Sequence, residues 1–224
     1  MNEQPTNSPQ KLQKMNEQNK KMRKKLVVAL IVTIAVVVVL VSVLLVIKAC
    51  QDKEAPFELP ESYFYPTYHG DIFEYTDYLE KRPDVILYCD DPDGLGHTTE
   101  INEEPNKSFA PEVLYLRDFI EIMMRADVEA YNNCFNEIYY KTHDKKDDFS
   151  QQMIYEAEIR FASEETAANG EKTSTYYLFY KLYQNDGSLR RDVGSDAIVP
   201  MRIVLRTMPT GEISISEWAT TRTN

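Results

Sequence analysis

Three histidines, His69, His97 and His143, stand far apart in the chain, and none has ligand or catalytic spacing to another. The sequence has no HExxH, no paired CxxC, no phosphate-binding glycine loop and no nucleophile elbow. Zinc chemistry and a Ser-His-Asp triad therefore have no residues to carry them. The best remaining metal candidate is CDDPDGLGHTTE, residues 89–100. With Gly94 as the sixth position of a calcium loop, Asp91, Asp93 and Glu100 take positions three, five and twelve. The first position then falls on Cys89, a soft thiol where the ion wants a hard oxygen. An acidic, solvated turn is the simpler reading, with calcium as its alternative. No metal, cofactor or catalytic residue is assigned.

Cysteine chemistry offers two patterns. A Cys89–Cys134 bridge would leave Cys50 odd, available for an intermolecular disulfide and a homodimer. Alternatively all three are simple thiols, with buried cysteine acting as a small apolar residue. Cys50 also follows an apolar run, as the lipidated cysteine of a lipoprotein does. Lys48 stands where such a processing site needs a small neutral side chain, which favours an uncleaved segment.

The chain holds fifteen tyrosines and nine phenylalanines. In Tyr176, Tyr177, Phe179, Tyr180 and Tyr183, strand alternation sends rings to both faces of a sheet. Some must fill a core; others could line a carbohydrate-type pocket or coat the sheet. Arg190 and Arg191 stand out as a basic pair in acidic surroundings, flanked by Asp186 and Asp192. They are the candidate residues for gripping a partner or anionic ligand, and a local ion pair explains them equally well. Asn106-Lys107-Ser108 is a glycosylation sequon, meaningful in a eukaryotic host.

The elements that must position these groups divide the chain. Residues 1–25 are polar and basic, too poor in apolar side chains to fold, and read as a disordered cytoplasmic tail. Residues 26–47 are twenty-two residues without a charge. As a helix they would measure about 33 Å, enough for a hydrocarbon core of about 30 Å. Lys20, Lys21, Arg23, Lys24 and Lys25 crowd the N-terminal side, so the positive-inside rule predicts a single-pass signal anchor with residues 48–224 outside the cell membrane. Seven basic against two acidic residues give residues 1–25 a net charge of +5. Eighteen against thirty-four give the rest −16. Nucleic acid is excluded as a partner of so acidic a domain.

Residues 48–70 read as a proline- and aromatic-rich stalk lying partly on a domain over 71–224. A short helix is predicted over 71–80, a strand over 84–89 and a loop from there to Ser108. Val113, Leu116, Ile120 and Met123 mark a helix opened by Pro111. Asp127 would cap a second helix reaching Tyr140. After a short turn at 150–153, strands are predicted at 155–161, 173–183, 198–208 and 212–218. Asn169-Gly170, Asn185-Asp186-Gly187 and Pro209-Thr210-Gly211 are the turn signals between them. The expected class is α+β: a transmembrane helix, then two helices on a curved antiparallel sheet of four to five strands.

That element order, with RADVEAYNNCFNEIYY (residues 125–140) leading into strands, resembles the nuclear-transport-factor-two-like family and the wider cystatin-like folds over residues 111–218. The resemblance implies a ligand-binding or assembly module, or an enzyme with its site inside the sheet–helix cone. No aspartate aligns with the family's catalytic positions. The run LRRDVGSDAIVP, residues 189–200, resembles segments of membrane-anchored proteins of Gram-positive bacteria. The functional expectation is an extracytoplasmic binding or assembly module, with an envelope protein or small ligand as partner. The alternatives are the cone enzyme and a lipoprotein held through Cys50.

Overall fold

Pro111 opens a fifteen-residue helix because its missing N–H is one the first turn would leave unpaired anyway. In the computed structural model, which describes residues 57–81, 86–90, 98–101 and 109–221, this helix runs Pro111–Arg125. A shorter helix, α1, precedes it at Thr76–Lys81, so the long one is α2. Its buried stripe includes Val113, Leu116, Phe119, Ile120 and Met123, the spacing of one helical face. Ala126 ends it in the left-handed region, φ 55°. There Asp127 N–H donates to the Ile122 carbonyl at 3.2 Å and Ala126 N–H to that of Met123 at 3.3 Å, a Schellman closure. Asp127 then caps α3, Val128–Asn133, accepting from Ala130 N–H at 2.9 Å.

The described strands are β1 (Ile86–Cys89), β2 (Thr98–Ile101), β3 (Ile154–Thr166), β4 (Lys172–Leu182), β5 (Met201–Thr207) and β6 (Ile213–Thr220). They form one sheet in the order β2-β1-β3-β4-β5-β6. Only β1 and β3 pair in parallel, Leu87 opposite Glu158. Along β4, Ser174, Tyr176, Leu178, Tyr180 and Leu182 are buried, while Tyr177, Phe179 and Lys181 are half-buried on the other face. Register lines Tyr176 up with Ile203 and Trp218. Phe119 of α2 meets Trp218 edge-on at 4.8 Å, which puts α2 on that face. Phe119, Tyr131, Phe135 and Phe149 interlock there, so the space between helix and sheet is filled by rings.

Several expectations are corrected. The sheet is six-stranded and mixed, not four- to five-stranded and antiparallel, and the α-helices number three among the described residues. The missed strand is β2, four residues inside the stretch read as loop, paired to β1 through Thr98, Thr99, Glu100 and Ile101. The second helix stops at Asn133, short of Tyr140. Ile215 of β6 takes the Cys134 carbonyl at 2.8 Å and the Asn136 N–H at 3.0 Å, so a parallel bridge claims the backbone that helix would have used. A 3₁₀ turn at Tyr139–Lys141 follows. The expected helix over 71–80 is a 3₁₀ turn, Ile72–Glu74, followed by α1. The short turn expected at 150–153 does not form.

The single-pass anchor and the extracytoplasmic location are corrected as well. Among the described residues, no helix is long and apolar enough to cross a membrane. The expected span, 26–47, and the tail before it lie outside the described residues.

Candidate functional site

The proline- and aromatic-rich residues 57–71 form a strap across the loop that follows β4. Its backbone is tied at two points: Leu59 N–H donates to the Arg191 carbonyl at 2.8 Å, and Tyr65 N–H to that of Asn185 at 2.9 Å. Phe64 turns inward against Gly187, where a Cβ would lie 3.0 Å from its ring. Gly187 also has φ 74°, so this position needs glycine twice over. With Phe64 turned in, its neighbours are exposed, Tyr63 by 57% and Tyr65 by 50%.

The loop under the strap is organised by Asn185, a buried amide. Its Nδ2 donates to the carbonyls of Arg190 and Val193, and its Oδ1 accepts from Gly187 N–H. Asp186 accepts from Ser150 Oγ at 2.5 Å and from Ser188 N–H at 2.9 Å. Burial pushes the Asp186 carboxyl up, but these bonds, with others from the Ser188 and Thr67 side chains, outweigh it and hold the group below the usual carboxylate range. A shallow cleft of about 10 Å³, room for one water, opens between Tyr68, Ser150, Gln151, Tyr183, Gln184 and Asp186.

Beside that cleft the tyrosines gather. Tyr68, 37% exposed, stacks on Tyr75 at 4.6 Å, and Tyr75 meets Tyr183 at 6.1 Å. Gln184 donates to the Tyr75 hydroxyl at 3.3 Å, and that hydroxyl lies 3.5 Å from Asp77 Oδ2. Lys81 Nζ, at the end of α1, sits 4.7 Å from the centre of the Tyr183 ring and 3.6 Å from Asp196. Tyr155 closes this corner by donating to Asp196 at 2.6 Å.

The sequence-stated candidates fall at different depths. Arg190 is 3% exposed; it forks onto Asp192 at 3.0 and 2.6 Å, donates to the Val199 carbonyl and lies over the Tyr180 ring. Burial works against its charge, but the Tyr180 hydroxyl and the Asp192 carboxylate outweigh it and raise its already high pKa. Arg191 reaches the surface, where it holds Glu58 and Glu61 of the strap and covers Phe64. The adjacent arginines therefore serve the loop and the strap respectively. Cys50, Asp91, Asp93, Gly94, His97 and the sequon at 106–108 lie outside the described residues. Cys134 is a buried free thiol, so the Cys89–Cys134 bridge does not form. Among the described residues no cluster of His, Cys, Asp or Glu could hold a metal ion.

One buried carboxylate escaped notice in the sequence. Glu112, 1% exposed in the first turn of α2, takes Lys172 Nζ at 2.7 Å and Thr207 Oγ1 at 2.8 Å on Oε1. Its Oε2 is buried with no hydrogen-bond partner among the described residues. Its signal was faint: a glutamate after Pro111 reads as an ordinary first-turn acid. The tyrosine cluster was also missed, since its rings come from residues 68, 75 and 183, and only their local abundance is visible in the chain. No protein family, curated protein or solved structure matches this sequence.

Proposed function

We propose that the domain is a binding or assembly module whose working surface is the strap and the tyrosine cluster beside it. The observation that carries this reading is the division of the aromatic residues. One set fills the space between α2 and the sheet, where a cone-type ligand would have to enter. The other, Tyr63, Tyr65 and Tyr68, is held outward on a backbone fixed at Leu59 and Tyr65. Exposed tyrosines on a rigid support lose little entropy when a partner covers them, and such rings are favoured at protein interfaces. The likeness to the nuclear-transport-factor-two-like and cystatin-like modules belongs to the same proposal; helices α2 and α3 on one face of a single sheet support it.

The test places a photo-reactive benzoylphenylalanine at Tyr63 or Tyr65 of the full-length protein in its native cells, with the same probe at Met208 for comparison. Met208 is also exposed, near the β5–β6 turn. Discrete adducts from the strap positions alone are expected. Adducts of equal yield at all three positions, or none from the strap, would sink the reading.

A further inference from the structure

The tyrosine cluster carries its own example of what it can hold. Lys81 lies over Tyr183 at 4.7 Å and within 5.8 Å of Tyr155, with Asp196 at 3.6 Å to balance its charge. The same device recurs at Arg191, over Phe64 and between Glu58 and Glu61, and at Arg160, over Phe179 and paired with Glu158. Three cations of this domain, Lys81, Arg160 and Arg191, are thus held by a ring face together with a carboxylate. The Tyr68–Tyr75 stack offers both components as well. Its outer ring is exposed, Asp77 stands at the Tyr75 hydroxyl, and Asp186 and Gln184 line the adjoining cleft as oxygen acceptors. At long range, a net charge of −16 on residues 26–224 draws cations in and turns anions away.

We propose that the Tyr68–Tyr75 stack, edged by Asp77 and by the cleft of Gln184 and Asp186, docks a lysine- or arginine-bearing peptide segment of a partner protein. The inference rests on the binding-module reading and names the chemistry of its partner. A ring face attracts an ammonium or guanidinium through its quadrupole, and the carboxylates supply the charge-assisted hydrogen bonds. A neutral glycan could also stack on Tyr68. It would gain nothing from the net charge of the domain.

The test is calorimetric titration of the full-length chain with hexalysine, hexaarginine, hexaglutamate and chitotetraose. Saturable binding of the two basic peptides is expected, weakening as salt is raised. Tyr68→Ala and Asp77→Asn should each weaken it about three- to fivefold, the effect of one exposed cation–ring or ion contact. Met208→Ala, a distant exposed change, should leave it unaltered. Thermal melts of the variants verify folding, and because Asp77 is exposed its substitution gives a second reading should Tyr68→Ala unfold the strap. Binding of the basic peptides that neither substitution weakens would overturn the assignment, since it would be attraction to the acidic domain at large. Binding of chitotetraose or hexaglutamate in their place would overturn it too. If strap cross-links form while no basic peptide binds, the cationic partner is refuted and the binding-module reading stands.

Discussion

Glu112 shows how much a single side chain can conceal. Burial raises the pKa of its carboxyl, but the bonds from Lys172 and Thr207 outweigh that and leave it below the ordinary value of 4.5. A carboxyl depressed in the folded state stabilises the fold at every pH above its unfolded value, and the contribution fades as pH falls through the folded one. Glu112→Gln should therefore lower stability by about 2 kcal/mol at neutral pH, the worth of a charged hydrogen bond. Urea unfolding across pH 3 to 7 checks the sign: the gap between variant and parent should narrow below about pH 4.5. A gap independent of pH would mean that packing, not charge, accounts for the loss. Arginine pairs show the same limit on reading by eye. Asp192, two residues along, makes an ion pair for Arg190 legible in the chain, whereas the Val199 carbonyl and the Tyr180 ring that complete its burial are not.

At the scale of elements, the parts with local causes could be read and those with distant causes could not. Helix α2 follows from Pro111 and an apolar stripe, the α3 cap from Asp127, and the β3–β4 and β5–β6 turns from Asn169-Gly170 and Pro209-Thr210-Gly211. Strand β2 is only four residues long and brings no apolar alternation of its own; it exists because β1 offers it an edge. The end of α3 is set by Ile215, far along the chain. The strap was visible as an oddity of composition, since prolines and rings together suit neither a free linker nor a core. Its docking site was not, because Asn185 and Gly187 owe their role to the loop's own hydrogen bonds. The α2–α3 junction makes a prediction of its own. Ala126 holds a left-handed backbone that glycine adopts without strain, so Ala126→Gly should stabilise the domain by about 1 kcal/mol and raise its thermal midpoint. A lower midpoint would show that the methyl group contributes more than the strain costs.

For the whole molecule the dominant quantity is charge. With −16 spread over residues 26–224, the folded state concentrates like charges that the unfolded chain keeps apart. Raising ionic strength from about 0.01 to 0.15 M shortens the screening length from about 30 to 8 Å, so the thermal midpoint should climb with added salt. A falling midpoint would mean that pairs such as Arg206–Glu171 and Lys172–Glu112 outweigh the general repulsion. The parallel pairing of β1 with β3 has a consequence during synthesis. Leu87 leaves the ribosome roughly seventy residues before Glu158, its neighbour in the finished sheet. At about 5–20 residues per second, β1 waits about 4–14 s for its permanent partner. Throughout that interval a nascent chain carries an unclaimed strand edge, a period in which a chaperone, or a second ribosome on the same message, can reach it first.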